Sequence, residues 1–241
     1  MLKIEHLTKH YKGSQKGVTD LSLHIAPGDL YAFIGHNGAG KTTTLKCIAG
    51  IHDFENGEIR VDGINVKEDP LKAKSILAYI PDNPDLYEYL TGIQYLNFIA
   101  DIFRVENDVR QQRIEKYAAE LEITQALGDL ISTYSHGMKQ KLVILSALVH
   151  QPKLLILDEP FVGLDPKAAV TVKGIMKELC AAGGAVFFST HVLEVAEKLC
   201  NKVAIISEGQ LVTAGDMAAV VKSGQSLESI FMEVAVNGKS N

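Results

Sequence analysis

Between an apolar run, LYAFI, and a helical pattern, LKCIAG, lies the stretch GHNGAGKTT, residues 35–43, and few short sequences restrict a fold more tightly. It satisfies G-x-x-x-x-G-K-[ST] in the strand, loop and helix context that gives the pattern its physical meaning. Gly35, Gly38 and Gly40 let the backbone curl until successive N–H groups converge on phosphate oxygens, and the following helix adds positive potential at its N-terminus. Lys41 carries a full positive charge to the β- and γ-phosphates, and Thr42 offers a hydroxyl to Mg²⁺. His36, Asn37, Ala39 and Thr43 complete the loop that would face the nucleotide. The chain is therefore expected to bind a nucleoside triphosphate with Mg²⁺.

Triphosphate chemistry also needs a metal carboxylate and a group that handles water. LLILDEP supplies both at the end of a buried strand: Asp158 to hold Mg²⁺ and Glu159 to orient or deprotonate the attacking water. Alone, Asp-Glu-Pro after a strand is a common loop; beside a phosphate loop the catalytic reading is stronger. His191, in FFSTH, follows another apolar strand. That puts it at the strand's carboxyl end, where open α/β sheets place their ligands, and in reach of a γ-phosphate.

At 241 residues and 46% apolar composition, the chain has enough material for a substantial core. Its formal net charge of -5 gives no general attraction to a phosphate backbone, so a nucleic-acid partner is not expected. Cys47, Cys180 and Cys200 lack CxxC spacing, which fits a reducing compartment. The start, MLKIEHLTKHYKG, has no apolar stretch of signal-peptide length, and runs such as Leu154 to Leu157 are far too short to span a bilayer.

Up to about Ile80 short strand patterns with Gly turns dominate, including the Asp62-Gly63 hairpin signal in EIRVDG. From Leu86 the period becomes helical, with Leu96, Ile99, Ala100 and Phe103 on one face and Ile114, Tyr117, Ala118 and Leu121 on another. After Pro152 the runs LLIL, AVFF and VAII, separated by helical stretches, read as a buried parallel sheet. The expected organisation is an α/β core with a β subdomain over 1–85 and 150–222, a helical insert over 86–149, and a tail over 223–241 ending in a frayed GKSN.

GHNGAGKTT, YSHGM, LLILDEP, GLDP and STH, in that order, resemble the ATP-binding subunit of an ABC transporter over nearly the whole chain. The resemblance implies a P-loop NTPase core built on a RecA-like parallel sheet, with an N-terminal antiparallel β subdomain and an inserted α-helical subdomain. It implies that Tyr11 stacks on adenine and that YSHGM stands for the family's signature, usually LSGGQ. Ser135 and Gly137 would then meet the γ-phosphate of ATP bound by a second copy or a related chain, as a homodimer or heterodimer, while Ser135 also caps its own helix. His136 and Met138 depart from the common Gly and Gln and resemble signatures of exporter-associated subunits. Asp82 stands where the family more often has a Gln that touches metal and water, so it is expected either as a metal contact or as the shaper of a Pro-Asp-Asn-Pro turn. In the same family a separate transmembrane permease is the partner, and the ATPase sits peripherally on the cytoplasmic face of the cell membrane. A soluble ABC-type ATPase shares these motifs. A GTPase does not fit, because Asn201-Lys202 is followed by no Asp.

Overall fold

The computed structural model describes residues 1–11, 13, 16–221 and 225–237, so the GKSN end lies outside the described residues. The chain runs through β1 (Leu2–His10), β2 (Gly17–Ile25), β3 (Leu30–Ile34), α1 (Lys41–Ile48), β4 (Asn56–Val61), β5 (Ile64–Asn65), α2 (Pro70–Ser75) and β6 (Leu77–Ile80). Then come helices α3 (Gly92–Ile102), α4 (Asn107–Glu120) and α5 (His136–Val149). The last part alternates again, as β7 (Leu154–Asp158), α6 (Pro166–Ala181), β8 (Ala185–Thr190), α7 (Leu193–Leu199), β9 (Lys202–Ser207), β10 (Gln210–Asp216), α8 (Met217–Val220) and α9 (Leu227–Asn237).

Two sheets result. The first is antiparallel in the order β2-β1-β4-β5; the second runs β10-β9-β3-β8-β7-β6 and is parallel except for β10. Every residue of β3, β7 and β8 is buried, which is why these strands read as unbroken apolar runs rather than alternating ones. Their two faces feed two cores. Leu30, Ala32, Ile34, Leu155, Leu157, Val186 and Phe188 pack toward the helical insert, whereas Tyr31, Phe33, Leu154, Ile156 and Phe187 pack toward α1 and the antiparallel sheet. Full burial of side chains as large as Phe33 and Phe187 stabilises the fold by about 2–3 kcal/mol each.

Local signals set the element ends. Asp62 and Gly63 turn the β4–β5 hairpin with φ of 49° and 80°, the paired left-handed geometry that Asp-Gly favours. Thr91 and Gln94 form a reciprocal capping box at the start of α3. Ser135 caps α5, its Oγ accepting the Met138 N–H at 3.3 Å. Asp165 caps α6 by accepting the Ala168 N–H at 2.8 Å, with Pro166 at the first helical position. The buried residues of α3, α4 and α5, among them Leu96, Ala100, Ile114, Ala118 and Leu145, continue the sheet's own core without a break.

Candidate functional site

The parallel strands deliver the chemistry at their carboxyl ends. The phosphate loop leaves β3, Asp158 closes β7, and His191 follows β8 directly, so one edge of the sheet gathers residues far apart in sequence. A cleft of about 520 Å³ opens there, lined by Tyr11, Lys16 and Gly17, by residues 36–38 and 40–43 of the loop, and by Asp82, Asp158 and Glu159.

Gly38 and Gly40 adopt φ of 84° and 108°, conformations that favour glycine. Gly35 is needed for a different reason: a Cβ there would stand 2.6 Å from the Ile206 carbonyl oxygen. Gly35 and Ala39 lie behind the loop rather than on the cleft wall. Ala39 packs into the core, and its carbonyl accepts the Gly209 N–H at 3.0 Å. Lys41 is 7% exposed, and its Nζ donates to the carbonyls of Gly35 at 2.6 Å and His36 at 3.4 Å. Burial lowers its pKa, and Glu159 and Asp158 partly oppose that by favouring the charged ammonium. The His36 ring rests 4.5 Å from the Phe231 ring, so the segment after 223 contributes a helix, α9, that packs back onto the loop.

Thr42 Oγ1 donates to Asp158 Oδ2 at 2.6 Å, and Ser189 Oγ donates to the other carboxylate oxygen. Two hard oxygen donors are thus fixed beside the phosphate loop, a set suited to Mg²⁺, which takes one or two carboxylates and fills its other positions with water and phosphate. Glu159 has a φ of 49°, in the left-handed region, and its N–H donates to Ser189 Oγ at 3.1 Å. The carboxylate of Glu159 lies 2.9 Å from His191 Nδ1 and also accepts the His191 N–H at 3.4 Å. His191 therefore reaches the site through Glu159.

Also in the cleft, the Tyr11 hydroxyl shares a hydrogen bond of 3.2 Å with Thr43 Oγ1, and the residue is 39% exposed. Asp82 lines the same cleft, and its Oδ1 accepts the Asn83 N–H at 2.9 Å. Both expected duties of Asp82 are therefore compatible with one position. Ser135 and Gly137 are not part of this cleft; they stand at the exposed N-terminus of α5.

The family described as ABC transporter matches residues 18–162. The ABC-type transporter ATP-binding protein EcsA of Bacillus subtilis (strain 168) is 32% identical over 238 residues, covering 97% of this chain and 96% of its own. This chain belongs to the ABC transporter family as an ATP-binding subunit. The bacitracin transport ATP-binding protein BcrA of Enterococcus faecalis is 34% identical over 213 residues, 88% of this chain and 68% of that one. A solved structure described as the ATP binding subunit of an ABC transporter superposes with a TM-score of 0.93 at 31% identity, covering 98% and 99% of the two chains.

In this ABC subunit, motif reading did not find Lys16, Gly17 or Ser189. Lys16 and Gly17 line the cleft beside Tyr11, and the Lys16 carbonyl accepts the Tyr11 N–H at 3.3 Å. Ser189 faces Asp158 because the two pair directly across β7 and β8. A parallel register carried one residue past LLIL and AVFF would have exposed that pairing. Among the described residues no helix is long and apolar enough to cross a membrane.

Proposed function

We propose that this subunit binds and hydrolyses ATP as one of a pair, two ATP molecules being held between the two subunits, and that closing and opening of the pair drives export through a separate membrane-spanning permease. The observation that carries the reading is the Thr42–Asp158 hydrogen bond of 2.6 Å at a phosphate loop, with Glu159 beside it. The export direction draws support from His136 and Met138 in YSHGM, the variant that resembles exporter signatures. A relative named for bacitracin transport supports the coupling to transport.

In this mechanism the loop N–H groups and the start of α1 cradle the phosphates. Lys41 exchanges the carbonyls of Gly35 and His36 for β- and γ-phosphate oxygens, regaining strong acceptors for its buried charge. Tyr11 meets the adenine. Thr42 and Asp158 would hold Mg²⁺, with Asp82, which lines the same cleft, as a further oxygen donor. When bound, the metal neutralises charge that develops on the phosphates. Glu159 orients the attacking water and takes its proton, while His191 holds the Glu159 carboxylate and donates toward the γ-phosphate. Ser135 and Gly137 approach the partner's γ-phosphate from the N-terminus of α5. The subunit then works peripherally on the cytoplasmic face of the membrane, because the permease holds it there.

The test is paired. Lys41→Ala should lower ATP hydrolysis by about a hundred-fold or more and weaken nucleotide binding. Glu159→Gln should still bind Mg-ATP but accumulate a dimer in size-exclusion chromatography, which adding Ser135→Arg abolishes by setting bulk against the partner's phosphate. A Lys41→Ala variant with the parent's rate would reject the phosphate-loop assignment, and an ATP-independent monomer peak for Glu159→Gln would reject the shared site.

A further inference from the structure

We infer that His136 is a positioning residue for hydrolysis: its imidazole packs on Gly163 of the same chain and ties the N-terminus of α5 to the segment that carries Glu159. The inference rests on the proposed two-subunit ATP reaction and assigns a job to a residue that the reaction as described does not use.

Three contacts knit the two segments. Gly163 has a φ of 80°, and a Cβ there would overlap His136 Cδ2 and stand 2.7 Å from Nε2, so the ring occupies the face of the turn that glycine leaves bare. Gly137 approaches from one residue further on, where a Cβ would lie 2.9 Å from the Gly163 carbonyl oxygen. One helical turn beyond, Lys141 Nζ pairs with Asp165 at 3.2 Å, and its side chain is only 13% exposed. The first two turns of α5 are thus fastened to residues 163–165 by a ring, a close backbone approach and an ion pair.

The turn on the other side has little slack. The Val162 N–H donates to the Glu159 carbonyl at 3.2 Å, and the Leu164 N–H donates to the Phe161 carbonyl at 3.4 Å. The Phe161 ring packs edge-on against Phe188 of β8, with centroids 5.8 Å apart. A shift of the Gly163 turn therefore travels to Glu159 through a short closed segment instead of being absorbed. Ser135, the neighbour of His136, faces the partner's nucleotide in the proposed dimer, whereas Glu159 serves the nucleotide of its own chain. Through His136, engagement at one nucleotide sets the carboxylate at the other. Glycine at 136 would leave the Gly163 face empty and the linkage loose.

The contact makes a double-variant test possible. Purified His136→Gly, Gly163→Ala, the double variant and His136→Gln are compared with the parent for kcat, KM, thermal midpoint and single-subunit ATP binding. His136→Gly and Gly163→Ala should each lower kcat about five-fold with KM within about two-fold, because the loss falls on the reacting geometry and not on nucleotide binding. The double variant should stay within about two-fold of Gly163→Ala, since the ring that alanine displaces is already gone and the strain of a Cβ at φ 80° is common to both. His136→Gln, a planar amide of similar reach, should regain at least about half of the parent kcat. The inference is overturned if His136→Gly keeps the parent kcat, if the two single losses multiply in the double variant, or if the loss appears in KM, which would put the ring on the nucleotide itself. A parent that fails to hydrolyse ATP would remove the two-subunit reaction and this inference together; a hydrolysing parent with an indifferent His136 removes the inference alone.

Discussion

One carboxylate oxygen of Asp82 holds the Asn83 N–H at 2.9 Å while the residue faces the cleft, which leaves the other oxygen available to a metal or its water. In the proposed complex with ATP a carboxylate lining this cleft is repelled by the γ-phosphate unless a cation lies between them, so its contribution should appear in the metal dependence of the reaction. Asp82→Ala should raise the Mg²⁺ concentration for half-maximal hydrolysis by about ten-fold and Asp82→Gln should restore much of the loss. Asp82→Asn keeps the turn but loses the charge, so it separates the two duties. Identical Mg²⁺ titrations for all three variants would leave Asp82 as a turn residue only. At this scale the phosphate loop was readable because its motif encodes backbone conformation and charge within nine contiguous residues, 35–43. Ser189 was not, because only its pairing with Asp158 across two strands makes it a partner of the carboxylate.

Among the elements, His150 joins three. It ends α5, stacks on Phe103 at the end of α3 with centroids 3.7 Å apart and planes 12° from parallel, and shares a 3.3 Å hydrogen bond with the Leu77 carbonyl of β6. Burial pushes its pKa down to about 4, against the favourable carbonyl of Leu77 and with a smaller push from Arg113. In the unfolded chain the imidazole titrates near its ordinary value of about 6.5. The unfolded state therefore takes up the proton first on acidification. The stability that neutral His150 contributes is complete above that value and is lost as pH falls through about 4. Between pH 7 and pH 5 the loss should be about 2 kcal/mol, so urea unfolding of the parent should weaken over this range by about that much more than unfolding of His150→Gln. Parallel curves for the two proteins would remove His150 from the acid response. Elements with strong patterns, such as α3, α4, β7 and β8, were legible from sequence. The short α2 was not anticipated, although Asp69 caps it and Pro70 opens it, because six residues are too few to set a period. Nor was β10, an edge strand whose exposure alternates along its length while its residues, QLVTAGD, do not alternate in hydropathy.

For the whole molecule, the buried parallel class of the main sheet could be read from its apolar runs, whereas the order β10-β9-β3-β8-β7-β6 could not, since the buried runs are similarly apolar and neighbours are chosen by crossovers. That order seats β3 beside β8 and β8 beside β7, and so brings Lys41, His191 and Glu159 to one edge. It also fixes Glu159 in a backbone conformation, φ 49°, that its own side chain disfavours. Such a residue withholds about 1 kcal/mol from the folded state, which asparagine, tolerant of this region, should return. Glu159→Asn should accordingly melt about 2 °C above the parent while losing hydrolysis; a midpoint at or below the parent's would mean that the conformation carries no strain. If it holds, durability and activity are opposed at this position, and a screen that rewarded heat resistance alone would select the inactive protein.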